Sequence, residues 1–141
     1  MRTQTQQRGF TLIELVVVIT ILGILAAFAV PRFASLEREA REAATQALTG
    51  SLRSGAALAH ALWLAQGQPA TVTMEGATIT LVNGYPNLAS IDDTLADSSG
   101  FTYAPATGVF AKTGTAGPCN VAYTEATAGG APGFAPDTSS C

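Results

Sequence analysis

Between Phe10 and Val30 nearly every position is apolar, and Glu14 is the one charged side chain in about 21 residues. Coiled as a helix, that run is roughly 31 Å long, which matches the hydrocarbon core of a bilayer. After Pro31 the pattern changes. Phe33, Leu36, Ala40, Ala44, Leu48, Leu52, Ala59, Leu62 and Trp63 fall at helical spacing, which predicts an amphipathic helix over residues 32–66. Glu37–Arg41 and Arg38–Glu42 are spaced for weak pairs along its charged face. Gly50 and Gly55 weaken the helix by about 1 kcal/mol each, and Gly67-Gln68-Pro69 ends it. Residues 10–66 therefore read as one helix of roughly 85 Å.

Downstream the period shifts from helical to alternating. Residues 70–74 and 77–82 place Thr on one face and apolar side chains on the other, with Glu75-Gly76 suited to a tight hairpin turn. Asn83-Gly84-Tyr85-Pro86 is a turn cluster, and residues 87–95 suit a short helix capped by Asn87 or Ser90. Residues 101–104, 109–112 and 120–124 read as further strands. The sum is an α+β chain, with a long N-terminal helix packed on a small antiparallel sheet of four or five strands. From 126 to 140 the residues are Ala, Gly, Pro, Thr and Ser with little to bury except Phe134, and such a stretch needs a restraint to be ordered.

Charge orients the anchor. The leader before the apolar run carries Arg2 and Arg8 and no acid, so it stays cytoplasmic while the rest of the chain crosses. Glu14 is costly there, on the order of 2.5–3.5 kcal/mol even on lenient insertion scales. It either sits protonated near the interface or has a partner. A cut after Gly9 would supply one, because the new α-amino group would lie on Phe10, four residues away.

Those residues carry a resemblance. Gly9-Phe10-Thr11-Leu12-Ile13-Glu14 resembles the cleavage site of type IV pilins and pseudopilins. By that resemblance prepilin peptidase cuts between Gly9 and Phe10 and N-methylates Phe10, while Glu14 aids assembly. Gly23 and Pro31 fall at the family's glycine and proline positions, where the helix bends or loses structure in filaments. An ordinary secretory signal would place small residues after the apolar run and lose that run on cleavage. The implied organisation is a leader (1–9), a transmembrane or filament-core helix (10–31), a continuing amphipathic helix (32–68) and a β-sheet head with a disulfide loop (69–141), in the ladle-shaped pilin fold. Parts of 83–86 and 119–126 are similar to mannose-sensitive haemagglutinin type pilins.

Composition adds three points. Only 12% of the 141 residues are charged, and beyond Arg53 the one basic side chain is Lys112 among six acids. A cationic nucleic-acid surface on the head is therefore not expected. Cys119 and Cys141 are the only cysteines and bracket the Gly/Pro-rich segment, so in an oxidising compartment they are expected to pair. Closing that loop restrains the unfolded chain by about 3 kcal/mol. Candidate chemistry is thin. His60 is the lone histidine, with no partner in sequence for acid–base work, and is read as a packed or surface residue. Asp92, Asp93 and Asp97 lack the ligand spacing of a calcium loop, and no phosphate-cradling glycine motif occurs. No enzyme activity, cofactor or metal is expected.

The resemblance implies a filament subunit whose partners are copies of itself, prepilin peptidase, inner-membrane assembly machinery and, before assembly, membrane lipid. It would be a single-pass inner-membrane protein first and part of an extracellular pilus later, with adhesion as one use. The alternatives are a pseudopilin of a type II secretion system, or a membrane-anchored binding head. Paired cysteines near the C-terminus tilt the choice toward a pilus.

Overall fold

The computed structural model describes residues 9–141. They form one helix, α1 (Leu12–Ala65), followed by seven short strands and a single 3₁₀ turn. By internal contacts the chain divides into two units, one ending at Glu37 and the other running Arg38–Cys141.

In the first unit every described residue is exposed. Its helical segment is long and apolar enough to cross a membrane, with a mean hydropathy of 2.8 over its best 18 residues. The helix runs on through Gly23 and Pro31, although Pro31 has no N–H to donate to the preceding turn. Thr20, the polar residue midway, turns its hydroxyl back onto the Val16 and Val17 carbonyls at 3.0 and 2.8 Å. A hydroxyl satisfied within its own helix costs little in hydrocarbon.

In the second unit α1 buries Thr45, Leu48, Thr49, Leu52, Gly55, Ala56 and Ala59, a stripe with steps of three and one that follows one helix face. Leu48, Leu52 and Ala59 belong to the expected core face. Thr45, Thr49 and Gly55 do not announce themselves by hydrophobicity; the two threonines are buried because their hydroxyls bond back to the Arg41 and Thr45 carbonyls. The expected charged-face pair Arg38–Glu42 forms at 2.8 Å.

Two antiparallel sheets cover that face, where a single sheet was expected. The first contains β1 (Thr71–Met74), β2 (Ala77–Val82) and β3 (Tyr85–Pro86) in sequence order. Both of its turns are two residues long with positive φ, at Glu75-Gly76 (49° and 90°) and Asn83-Gly84 (53° and 84°). Such turns match the twist of a hairpin. The cluster at 83–86 is thus half turn and half strand: Tyr85 and Pro86 pair with Val82 and Leu81. Proline is acceptable there because β3 is an edge strand.

The second sheet contains β4 (Phe101–Ala104), β5 (Val109–Lys112), β6 (Asn120–Thr124) and β7 (Gly133–Asp137), again in order. β7 corrects the expectation that 126–140 is held by the disulfide alone. Five residues pair with β6, from Asn120↔Asp137 to Thr124↔Gly133. Its side chains are mostly exposed, so backbone pairing rather than burial makes the strand. The short helix expected over 87–95 shrinks to a 3₁₀ turn at Asp92–Thr94.

Two cores result. Leu48, Leu52 and Ala56 pack with Ile91, Phe110, Val121 and Tyr123 beneath the second sheet. Ala59 packs with Val72, Met74 and Ile79 beneath the first. Two tyrosines tie the second sheet to β3 and the segment after it, the Tyr123 and Tyr103 hydroxyls donating to the Pro86 and Leu88 carbonyls respectively. Burial pushes both hydroxyls' pKa up, that of Tyr103 to about 12.

Candidate functional site: the start of the helix

α1 begins at Leu12, and Thr11 caps it. The Thr11 amide and hydroxyl both donate to Glu14 Oε2, at 2.8 and 2.7 Å, while the Glu14 amide donates back to Thr11 Oγ1 at 3.3 Å. This is a reciprocal capping box, in which a threonine and a glutamate three residues on satisfy amides that the first helical turn leaves free. Sequence reasoning singled out Glu14 and passed over Thr11. The Thr-x-x-Glu spacing ahead of the apolar run carries the signal. Both acceptor bonds fall on one carboxylate oxygen, and Oε1 makes no hydrogen bond among the described residues. Phe10 is 87% exposed, and Ile13, Val17 and Val18 lie close by along the helix. The site is therefore one polar pair at the head of an exposed apolar rod.

The residues expected to be cut apart, Gly9 and Phe10, precede the first helical turn in extended or irregular backbone. The remainder of the expected leader, residues 1–8 with Arg2 and Arg8, lies outside the described residues. Gly23 and Pro31 sit within α1.

The second expected pair, Cys119 and Cys141, forms a disulfide with a Cα–Cα distance of 4.8 Å. It is buried against α1, where Thr45 Oγ1 lies 3.5 Å from the Cys119 sulfur, and Arg41 Nη1 donates to the Cys141 carbonyl at 3.3 Å. The bond thus fastens the end of β7's segment to the helix as well as closing a loop.

The other candidates fall apart as chemistry. His60 Nδ1 faces the Gly84 carbonyl at 2.9 Å, and the ring stacks on Tyr85. Asp97 Oδ1 accepts bonds from the Ser99 hydroxyl and amide, which hold its pKa below the usual carboxylate value. Asp92 goes the other way: part burial raises its pKa, and Oδ1 has no hydrogen-bond partner. Among the described residues no three His, Cys, Asp or Glu side chains form a group able to hold a metal.

Residues 4–30 match the family described as the prokaryotic N-terminal methylation motif. The chain is 52% identical over 52 residues to the Type IV narrow pilus major component PilA5 of Thermus thermophilus, covering 37% of this chain and 45% of that one. The chain resembles the type IV pilins. It is also 42% identical over 48 residues to the Type IV major fimbrial protein FimA of Dichelobacter nodosus, covering 34% of this chain and 31% of the relative. With the Type IV major pilin protein PilA of Myxococcus xanthus it shares 46% identity over 41 residues, 29% of this chain and 19% of that one. The matches thus span less than half the length of each relative, and no solved structure matches.

Proposed function

We propose that this chain is a structural subunit of a type IV pilus. The observation that carries the reading is the join of a methylation motif over residues 4–30 to a fully exposed apolar helical segment, residues 12–31, whose single charge, Glu14, is capped on one oxygen only. Cleavage between Gly9 and Phe10 creates a cation beside that carboxylate. In membrane or filament, a lone buried carboxylate is unfavourable, while a carboxylate–ammonium pair is tolerated. Subunits leaving the bilayer find an equally apolar surface in one another's helices, so the Phe10 amine and Glu14 Oε1 of neighbouring copies set register. Gly23 and Pro31 supply the segment where the helix can bend, since proline removes one helical hydrogen bond. On this reading residues 1–9 are the leader, 10–31 the membrane and filament-core segment, 32–68 the continuing helix and 69–141 the head. Prepilin peptidase and inner-membrane assembly machinery are the partners, and the inner membrane followed by the extracellular filament are the locations.

Intact mass spectrometry of sheared cell-surface material tests this directly. The expected mass lacks residues 1–9, gains one methyl group and lacks the two hydrogens of the disulfide. An uncleaved chain confined to membranes would end the filament reading.

A further inference from the structure

Along one flank of α1, two open hollows of about 510 and 390 Å³ join where both meet Leu58, Thr94 and Ala96. Leu58, 54% exposed, lines the groove with Leu62 and Met74. Glu75 and Asp93 line it too; both are exposed, and neither has an ion-pair partner among the described residues. No Lys or Arg lines either hollow. The whole groove belongs to the unit Arg38–Cys141.

The bases of that unit are mostly engaged. Arg38 pairs with Glu42 at 2.8 Å, Arg41 donates to the Cys141 carbonyl, and the Lys112 ammonium sits over the Phe101 ring at 4.6 Å. Arg53 differs. It is exposed, its guanidinium lies 5.8 Å from the centre of the Phe134 ring of β7, and it makes no ion pair among the described residues. Its place in the sequence sets it roughly 140° around α1 from Leu58, at 3.6 residues per turn. Ala57 and Leu64, both exposed, fall on the Arg53 side of the helix. The head therefore has an apolar groove with unpaired acids on one flank and an unpaired arginine among apolar neighbours on another.

We infer that Arg53 of one copy docks in the groove between Leu58 and Asp93 of the next. An arginine fits that composition: its aliphatic stem covers Leu58 and Met74, and its planar guanidinium can bridge the Glu75 and Asp93 carboxylates. The occupant is a second copy because this chain carries both halves and its other bases in the unit already have partners. The halves lie on different sides of the head, so the contact is heterologous, and each docking leaves one half free to take a further copy. Such contacts propagate into open helical series, and the inference rests on the filament reading above. Beyond Arg53 the chain has a single base, Lys112, among six acids, so most other juxtapositions of heads bring like charges together and this one fixes which faces meet.

The test uses the full chain, produced in its host in place of the native copy, and reads sheared filament yield against total processed chain. Arg53→Glu is expected to lower that yield about tenfold or more, and so is Glu75→Arg combined with Asp93→Arg. Cleavage, judged by mass, and the melting temperature in detergent stay unchanged. A chain carrying all three reversals is expected to recover most of the lost yield. Recovery separates docking from misfolding, because damage at two distant sites adds rather than cancels. Normal yield from Arg53→Glu or from the two groove reversals overturns the inference, as does failure of the triple reversal to recover; each leaves the filament reading intact. A wild-type chain that gives no sheared filament overturns both.

Discussion

Gly50 and Gly55 lie five residues apart on the same helix, and replacing each with alanine separates local propensity from packing. In an isolated helix both changes stabilise by about 1 kcal/mol, because alanine loses less backbone entropy and shields the helix better. At Gly50 the structure agrees, since a new Cβ meets nothing within 4 Å. At Gly55 the Cβ arrives 2.6 Å from Thr94 Oγ1, 2.9 Å from Thr94 Cβ and 2.9 Å from the Thr94 carbonyl oxygen. Two of those atoms are not the flexible end of a side chain. The hydroxyl itself is held by its bond to the Ile91 carbonyl at 2.7 Å, so relief requires shifting the 3₁₀ turn off α1. Overpacking of this kind costs about 1–3 kcal/mol, which offsets or exceeds the propensity gain. Gly50→Ala should therefore raise the melting temperature of the full chain in detergent by a few degrees, and Gly55→Ala should leave it unchanged or lower it. The expected gap between the variants is about 1–3 kcal/mol, or roughly 4–20 °C for a folded unit of this size. Circular dichroism melts at matched detergent concentration measure it. Equal stabilisation by both substitutions would refute the claim that Gly55 is a packing residue.

Other outcomes follow from the same structure. Replacing both Cys119 and Cys141 with Ala should cost about 3 kcal/mol through the loop they close, with β7 amides the first to lose hydrogen-exchange protection; a melting temperature unchanged from the oxidised chain would count against it. Glu14→Gln should leave peptidase cleavage intact, as judged by mass, while sheared filament yield falls at least tenfold; normal yield would remove Glu14 from assembly. Tyr103 and Tyr123 ionise later in the folded chain than in the unfolded one. Their stabilisation is present below pH of about 10 and is lost as pH rises through their folded values, so ultraviolet titration should show delayed ionisation coupled to unfolding. Asp92 carries a raised pKa, so its contribution is present in acid and lost as pH rises through its folded value; Asp92→Asn should raise the melting temperature at pH 7 more than at pH 3.

Much of this protein was legible along the chain because its strongest signals are local. An unbroken apolar run with one acid is a statement about solvent, and helical geometry converts its length into a membrane's thickness without reference to any other residue. The hairpin at Glu75-Gly76 and the strands at 101–104, 109–112 and 120–124 were readable for the same reason: alternation and positive-φ turns are properties of neighbours. The cysteine pair followed from there being only two. What tertiary structure alone decided is whatever depends on residues distant in sequence. β7 has almost no burial pattern and exists because β6 offers it a ladder. The split into two sheets arises because α1 presents Leu48–Ala56 to one layer and Ala59 to the other. Gly55 reads as a helix weakness until Thr94 is seen against it. His60 reads as an isolated histidine until Gly84 and Tyr85 close around it. Propensity and period report the cost of local conformation, whereas close approach between segments is a pairwise term that no window of the sequence contains.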